Sequence, residues 1–273
     1  MTQIKQSSKK MQSNGLKIRL VIGLIMAAIA AFSYFTKSQV NPVTGEVQHI
    51  NMTPDQEVAM GLQSAPQMAQ EYGGEVQDAE VRDLVNRIGG KLYNATEAKN
   101  SPYQFQFHPL ADPETVNAFA LPGGQVFITM GLLKRLKSEA QLAGVLGHEM
   151  GHVINRHSAE QMAKTDFIQG LVGAVTAATS NPYSGMSAGQ IAQYVAQAKL
   201  MKFSRNDELE ADNFGVKYML QAGYDPEEMI AVMEVLKQVS GGGRKDDFMS
   251  SHPNPDNRIE KIREAIAQYR GQK

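Results

Sequence analysis

The chain has 273 residues, 27 Lys and Arg against 28 Asp and Glu, a net charge of −1 and no cysteine, which allows one large or two small domains with a buried core. The missing cysteine excludes disulfides, thiolate metal sites, a cysteine nucleophile and a cysteine-linked lipid anchor. Charge is unevenly spread: Lys5, Lys9, Lys10, Lys17 and Arg19 come first and no acid precedes Glu46, so beyond Arg19 22 basic residues face 28 acidic ones, about −6, and no basic stripe is available for nucleic acid.

Residues 1–19 read as a cytoplasmic basic segment and residues 20–35 as an uncharged apolar run of 16. The run reaches 20 if residues 16–19 lie at the interface with Lys17 and Arg19 snorkelling, which is just enough to cross a bilayer. Positive charge ahead of the run leaves the N-terminus inside and everything after Phe35 outside. The expectation is a single-pass signal anchor in the cell inner membrane, with the remaining domain periplasmic or extracytoplasmic. Ala28-Ile29-Ala30 keeps a competing reading open, a cleaved signal peptide that releases the chain to the periplasm. Residues 36–51, with Asn41-Pro42 and Thr44-Gly45, read as a linker, and residues 52–270 as one catalytic domain.

Thr53-Pro54-Asp55-Gln56 opens a helix, with a cap followed by Pro at the first position. Residues 78–93 predict a second, with Val81, Leu84, Val85, Ile88 and Leu92 on one side. Residues 103–108 alternate aromatic with polar and predict a strand that ends on a structural His108. Residues 117–129 predict two short strands around Pro122-Gly123-Gly124, and an edge strand there could bind a peptide by strand addition.

Ser138 and Gln141 make a capping box for a helix carrying His148-Glu149-Met150-Gly151-His152. Histidines four apart share a face, so both imidazoles reach one metal ion. Glu149 points roughly 100° away and is placed to take a proton from a water that the ion acidifies towards a pKa of about 7. Gly147 and Gly151, each one residue before a histidine, would let another backbone or a substrate approach closely. The helix is expected to continue through Asn155-Arg156-His157 towards Ala163, with His157 turned away from the metal. Residues 167–179 are uncharged, too short to span a membrane, and read as a buried or interfacial helix. Residues 180–189 read as a loop and a candidate mobile cover over the cleft.

Two histidines do not complete a catalytic zinc site. Glu208 and Asp212 lie four apart on a helix running to about Ala222 and stopped by Gly223. One carboxylate can bind metal while the other accepts the N–H of a ligating imidazole, and Glu210 falls on the opposite side. Asp225-Pro226-Glu227-Glu228 caps a helix through about Val239, residues 240–245 form a flexible break, and a last helix ends near Arg270. His252, on the loop before it, could donate to an oxyanion or cap the zinc in a resting state.

Taken together, His148-Glu149-Met150-Gly151-His152 and Glu208-Leu209-Glu210-Ala211-Asp212 resemble the membrane-associated gluzincin zinc metallopeptidases, the family of the CAAX prenyl proteases, HtpX and the exported BepA and LoiP. Residues 117–124 (NAFALPGG), Arg156-His157, Ser204-Arg205 and residues 251–255 (SHPNP) match its other blocks, so the likeness covers roughly residues 54–267. The resemblance implies an α+β fold, a mostly helical zincin-type domain with a small β-sheet, preceded by one N-terminal apolar helix. It implies one Zn2+ per chain held by His148, His152 and Glu208, with Glu149 as general base, Asp212 behind the ligands, and Asn117, Ala118 and Phe119 aligning substrate. A single apolar span sets the chain apart from the multi-span members and nearer the exported type. The expected activity is zinc-dependent cleavage of peptide bonds in exported or membrane-associated misfolded polypeptides, with Glu149 and His252 as catalytic candidates. A zinc-containing chaperone or assembly factor with little proteolysis is the alternative, and oligomeric state is left open.

Overall fold

The computed structural model describes residues 2–179, 203–239, 248–253 and 257–271. It divides into two compact units, one of Met1–Gln39, Val47–Asn51 and Glu160–Met201, the other of Val40–Glu46, Met52–Ala159 and Lys202–Lys273.

In the first unit, helix α1 (Thr2–Thr36) contains the apolar stretch Lys17–Thr36. Only 6% of that stretch's most apolar window is buried, at a mean hydropathy of 2.1, which suits a helix solvated by lipid better than a core helix. Residues 36–51, expected as a linker, carry short strands instead. β1 (Ser38–Val40) pairs with β2 (Val47–His49). The chain reverses because the Asn41 side-chain oxygen accepts from the N–H groups of Val43 and Thr44 and Gly45 takes φ +77°, an Asx-type turn. Most of α6 (His157–Thr179) also belongs to this unit.

The second unit is an α+β fold. Helix α2 (Pro54–Glu71) starts on a complete capping box between Thr53 and Gln56, and α3 (Ala79–Ala95) is capped by Asp78. After a 3-10 turn (Glu97–Asn100), a three-stranded sheet forms from β3 (Gln106–Leu110), β4 (Ala118–Leu121) and β5 (Gln125–Thr129) in the order β3-β5-β4. β3 starts three residues later than alternation suggests, and Pro109 is tolerated because this is an edge strand. β5 is buried along its whole length, parallel to β3 and antiparallel to β4. Gly123 and Gly124 turn the β4–β5 hairpin at φ +81° and +112°.

Helices α4 (Met130–Leu133), α5 (Glu139–Ile154), α7 (Arg205–Gln221), α8 (Glu228–Val239), α9 (Phe248–Ser251) and α10 (Arg258–Arg270) follow. The core gathers Val85, Ile88 and Leu92 of α3, Leu142, Leu146 and Met150 of α5, Val216 and Met219 of α7, Met229, Val232 and Leu236 of α8, and Ile262 and Ile266 of α10. Helix α5 is therefore buried on nearly all sides. Ser138 caps it through Gln141 N, but Gln141 Oε1 accepts from Lys137 N rather than Ser138 N, so the box closes one residue early.

Helix α5 does not run on to Ala163. Asn155 Nδ2 folds back to donate to the Gly151 carbonyl, Asn41 Nδ2 caps the Ile154 carbonyl, and Arg156 adopts φ +58°. A left-handed non-glycine residue costs on the order of 1–3 kcal/mol. The buried Arg156 guanidinium offsets that cost by binding Glu57 Oε1 through Nε at 2.8 Å and the Met52 carbonyl at 2.7 Å. A new helix, α6, then starts at His157. The candidate cover at residues 180–189 and the break at 240–245 lie outside the described residues.

Candidate metal centre

Helices α5 and α7 cross where neither has room for a larger side chain. A Cβ on Gly151 would stand 2.9 Å from the Ala211 carbonyl oxygen and 3.0 Å from Ala211 Cα, and one on Gly215 would stand 3.2 Å from His148 N. Those small residues bring one turn of α5, carrying His148 and His152, against one turn of α7, carrying Glu208 and Asp212. All four side chains are buried, as is His252.

His148 Nε2 and His152 Nε2 are 3.0 Å apart. Glu208 Oε2 lies 3.5 Å from the first and Oε1 3.4 Å from the second. Donor atoms at the corners of a tetrahedron with bonds of about 2.0 Å stand about 3.3 Å apart, so the set fits a zinc ion. His252 Nδ1 completes the group at 3.0 Å from Glu208 Oε1 and 3.4 Å from His148 Nε2, and all four donors lie within 4.8 Å of one another. Both oxygens of the fully buried Glu149, and Nε2 of His252, lack a hydrogen-bond partner among the described residues, an arrangement that calls for a polar ligand or water between them. His252 Nε2 is 3.8 Å from Glu149 Oε1.

Behind the donors stands a set of groups that orient them. Asp212 Oδ1 lies 2.9 Å from His148 Nδ1, which turns that ring's Nε2 to the centre. Arg258, absent from the sequence-based candidates, donates through Nε to Asp212 Oδ2 at 2.5 Å, through a terminal nitrogen to Asp212 Oδ1 at 2.9 Å, and lies 3.0 Å from Glu208 Oε2. His157, expected to point away, comes back towards the site because of the Arg156 turn. Its Nδ1 is 2.9 Å from His152 Nδ1, and its Nε2 is 3.3 Å from Glu210 Oε2. Phe203 stacks on His152 at 4.0 Å and Phe248 on His252 at 4.1 Å. Arg258 and Phe248 left only one trace in the sequence, their position within six residues of His252.

Burial sets the electrostatics, and local partners decide which groups it overrides. It drives Glu149 above the usual carboxylate range and His152 well below the usual imidazole value, so His152 is neutral and able to ligate. Burial also opposes charge on Glu208 and Asp212, but His252 and the other histidines hold Glu208 well below the ordinary range, and Arg258 with His148 holds Asp212 below it. For His148 burial is outweighed by hydrogen bonds to Asp212 and Glu208, and its pKa is pushed up to about 9.

Of the expected substrate-binding residues, Asn117 and Ala118 are buried and the Phe119 ring is stacked between Phe127 and Tyr72. Thr129 N donates to the Asn117 carbonyl and Phe119 pairs with Phe127. In such a ladder the alternate residues, Ala118 and Ala120, direct their backbone N–H and C=O to the unpaired edge. His108 is structural as expected, lying 2.7 Å from Glu75 Oε1 and 2.9 Å from Gln125 Oε1.

Comparison with known proteins adds a second line. A family model described as peptidase family M48 matches residues 76–266. The mitochondrial metalloendopeptidase OMA1 of Schizosaccharomyces pombe is 31% identical over 252 residues, 91% of this chain and 72% of that protein. A beta-barrel assembly-enhancing protease of Yersinia pestis is 27% identical over 92% of this chain and 52% of its own length. The Escherichia coli protein of the same name is 28% identical over 71% of this chain and 41% of its own length. The chain thus spans about half or less of these bacterial relatives.

Proposed function

Since the chain belongs to peptidase family M48, we propose that it is a zinc-dependent endopeptidase, anchored by α1 in a cell inner membrane with the metal centre on the outer side, that cleaves misfolded exported or membrane-associated polypeptides. The observation that carries the reading is the convergence of His148, His152 and Glu208 from two helices, with Glu149 unpartnered beside them.

A zinc ion held by these residues would polarise the scissile carbonyl and lower the pKa of water at the centre towards about 7. Glu149, raised by burial, accepts the proton of the attacking water and hands it to the leaving amine. Asp212 and Arg258 keep the His148 ring and the Glu208 carboxylate in place. Of the expected Asn117, Ala118 and Phe119, Ala118 keeps its main-chain groups towards the free edge of β4, and with Ala120 it aligns substrate by main-chain hydrogen bonds, while Asn117 and Phe119 are engaged with β5.

His252 fits the role of a fourth ligand in a closed resting state better than that of an oxyanion donor, because its Nδ1 sits among the other donors. Substrate would then have to displace it.

The deciding experiment is Glu149→Gln in the full chain, followed by casein digestion and metal content. Zinc retained with cleavage reduced by roughly 10²- to 10⁴-fold supports the proposal. Unchanged biological activity would instead favour an assembly factor that keeps zinc for folding.

A further inference from the structure

Helix α6 exposes large aliphatic side chains on one face. Ile168, Val172 and Val175 are 58%, 58% and 64% exposed, and their spacing of four and three residues aligns them along the helix. The face opposite packs on α1. Phe167 stacks on Tyr34 at 4.7 Å and meets Phe35 edge-on at 6.0 Å. One turn later a Cβ on Gly170 would stand 2.8 Å from Ala30 Cβ, and another turn on, a Cβ on Gly173 would stand 3.8 Å from Met26 Cε.

The α1 partner falls from 34 to 30 to 26 as the α6 residue rises from 167 to 173, so α6 runs antiparallel to α1. Six residues along a helix are about 9 Å, and α6 therefore descends by about that distance beside the apolar stretch of α1. At the same level α1 exposes Leu24, Ile25, Ile29 and Phe32 at 70%, 53%, 62% and 71%. The two helices together present one continuous aliphatic surface, which a single apolar solvent would cover.

We propose that residues 167–179 insert beside α1 from the outer face of the bilayer without crossing it, with lipid hydrocarbon covering Ile168, Val172 and Val175. The proposal rests on the reading of α1 as a membrane anchor. Residues 167–179 carry no charge. Thirteen helical residues reach about 20 Å, deeper than one leaflet of about 15 Å and short of the full hydrocarbon core of about 30 Å. Within the helix the backbone N–H and C=O groups bond to one another up to the last turn. Tyr34, Phe35 and Phe167 cluster where the two helices enter, as aromatic residues do at a membrane interface. Asp166 immediately precedes the inserted part.

Because the chain has no cysteine, single nitroxide labels at Ile25→Cys, Val172→Cys and Val175→Cys report cleanly, with Gln67→Cys on the exposed side of α2 as an aqueous reference. The full-length chain is reconstituted in phosphatidylethanolamine–phosphatidylglycerol vesicles, and accessibility to molecular oxygen and to a water-soluble nickel chelate is read by electron paramagnetic resonance. The expected result is an oxygen-to-nickel ratio at 172 and 175 shifted to match that at 25 and well above that at 67. Nickel access at 172 and 175 with lipid at 25 overturns insertion while leaving the anchor intact. Labels at 172 and 175 shielded from both reagents would mean that another protein, or a second copy of the chain, covers the face, and would overturn the lipid assignment. Nickel access at all three positions would overturn the insertion and the anchor together.

Discussion

Gly151→Ala tests whether the close crossing of α5 and α7 is what assembles the metal centre. The added methyl would sit 2.9 Å from the Ala211 carbonyl oxygen, 3.0 Å from Ala211 Cα and 3.1 Å from Phe214 Cβ. Ordinary carbon contacts lie at about 3.5–4.0 Å, so α7 must retreat by about half an ångström. None of the nearest atoms is the end of a flexible chain that could move alone. Overpacking of this kind costs about 1–3 kcal/mol, whereas replacing glycine by alanine inside a helix returns about 1 kcal/mol. The expected net effect is destabilisation by about 0–2 kcal/mol. Glu208, one turn from Ala211, is carried with α7, and zinc sites tolerate bond-length departures of only about 0.2 Å. Zinc affinity should fall roughly tenfold or more, as when groups supporting a metal ligand are disturbed.

Gly147→Ala is the internal control. Its Cβ would meet Gly215 at 3.4 Å, an ordinary contact, so the helix-propensity gain of up to about 1 kcal/mol prevails. Thermal unfolding of both variants, with zinc affinity measured by chelator competition, separates the two cases. A Gly151→Ala protein as stable as Gly147→Ala and equally tight for zinc would refute the reasoning, and the crossing would then have no part in placing the ligands.

Three more outcomes are expected. His252→Ala should weaken zinc binding and raise cleavage of an unfolded polypeptide if the imidazole caps a resting site; cleavage that falls while zinc is retained would reinstate the oxyanion role. Arg258→Met leaves the buried Asp212 and Glu208 without their guanidinium and should cost about 3–5 kcal/mol in denaturant unfolding of the metal-free chain; a loss below about 1 kcal/mol would count against the pairing. In the metal-free protein the raised pKa of His148 contributes stability that is full below about 6.5 and is lost as pH rises through about 9. Zinc requires the neutral ring and releases that proton, so the bound protein should lack this dependence. Melting temperatures across this range with and without chelator check the sign, and a metal-free protein that gains stability as pH rises through the same window would contradict it.

Local signals in the sequence were strong wherever backbone chemistry acts over a few residues. The caps at Thr53 and Ser138 and the positive-φ glycine at 223 mark real helix ends. The paired glycines at 147 and 151 correctly implied a close backbone approach. What stayed hidden depends on partners distant in the chain. The Arg156 turn is stabilised by Glu57, 99 residues earlier, and helical periodicity had no means of registering a bend made by a buried ion pair. The error carries through to His157, whose bearing follows from an unbroken helix; Glu210 stands outside the donor set, in agreement with its place on α7, and contacts His157. The β1–β2 strands were concealed for a different reason. Three-residue strands turned by Asn41 look like any polar loop in composition.

Spacing alone could not decide which carboxylate of α7 meets the metal, since Glu208 and Asp212 share a face. Their neighbours separate them. Both oxygens of Asp212 are engaged by Arg258, and Oδ1 also receives His148 Nδ1, so this carboxylate is spent on holding a ring. Glu208 has one more methylene and lies a turn nearer the start of α7, where it stands within 3.5 Å of Nε2 on both ligating imidazoles. Arg258 also approaches Glu208 Oε2, which lets one guanidinium stabilise the negative charge of both carboxylates together. Two acids with nearly the same sequence surroundings thus differ in how they are engaged by a residue 46 positions beyond the second of them.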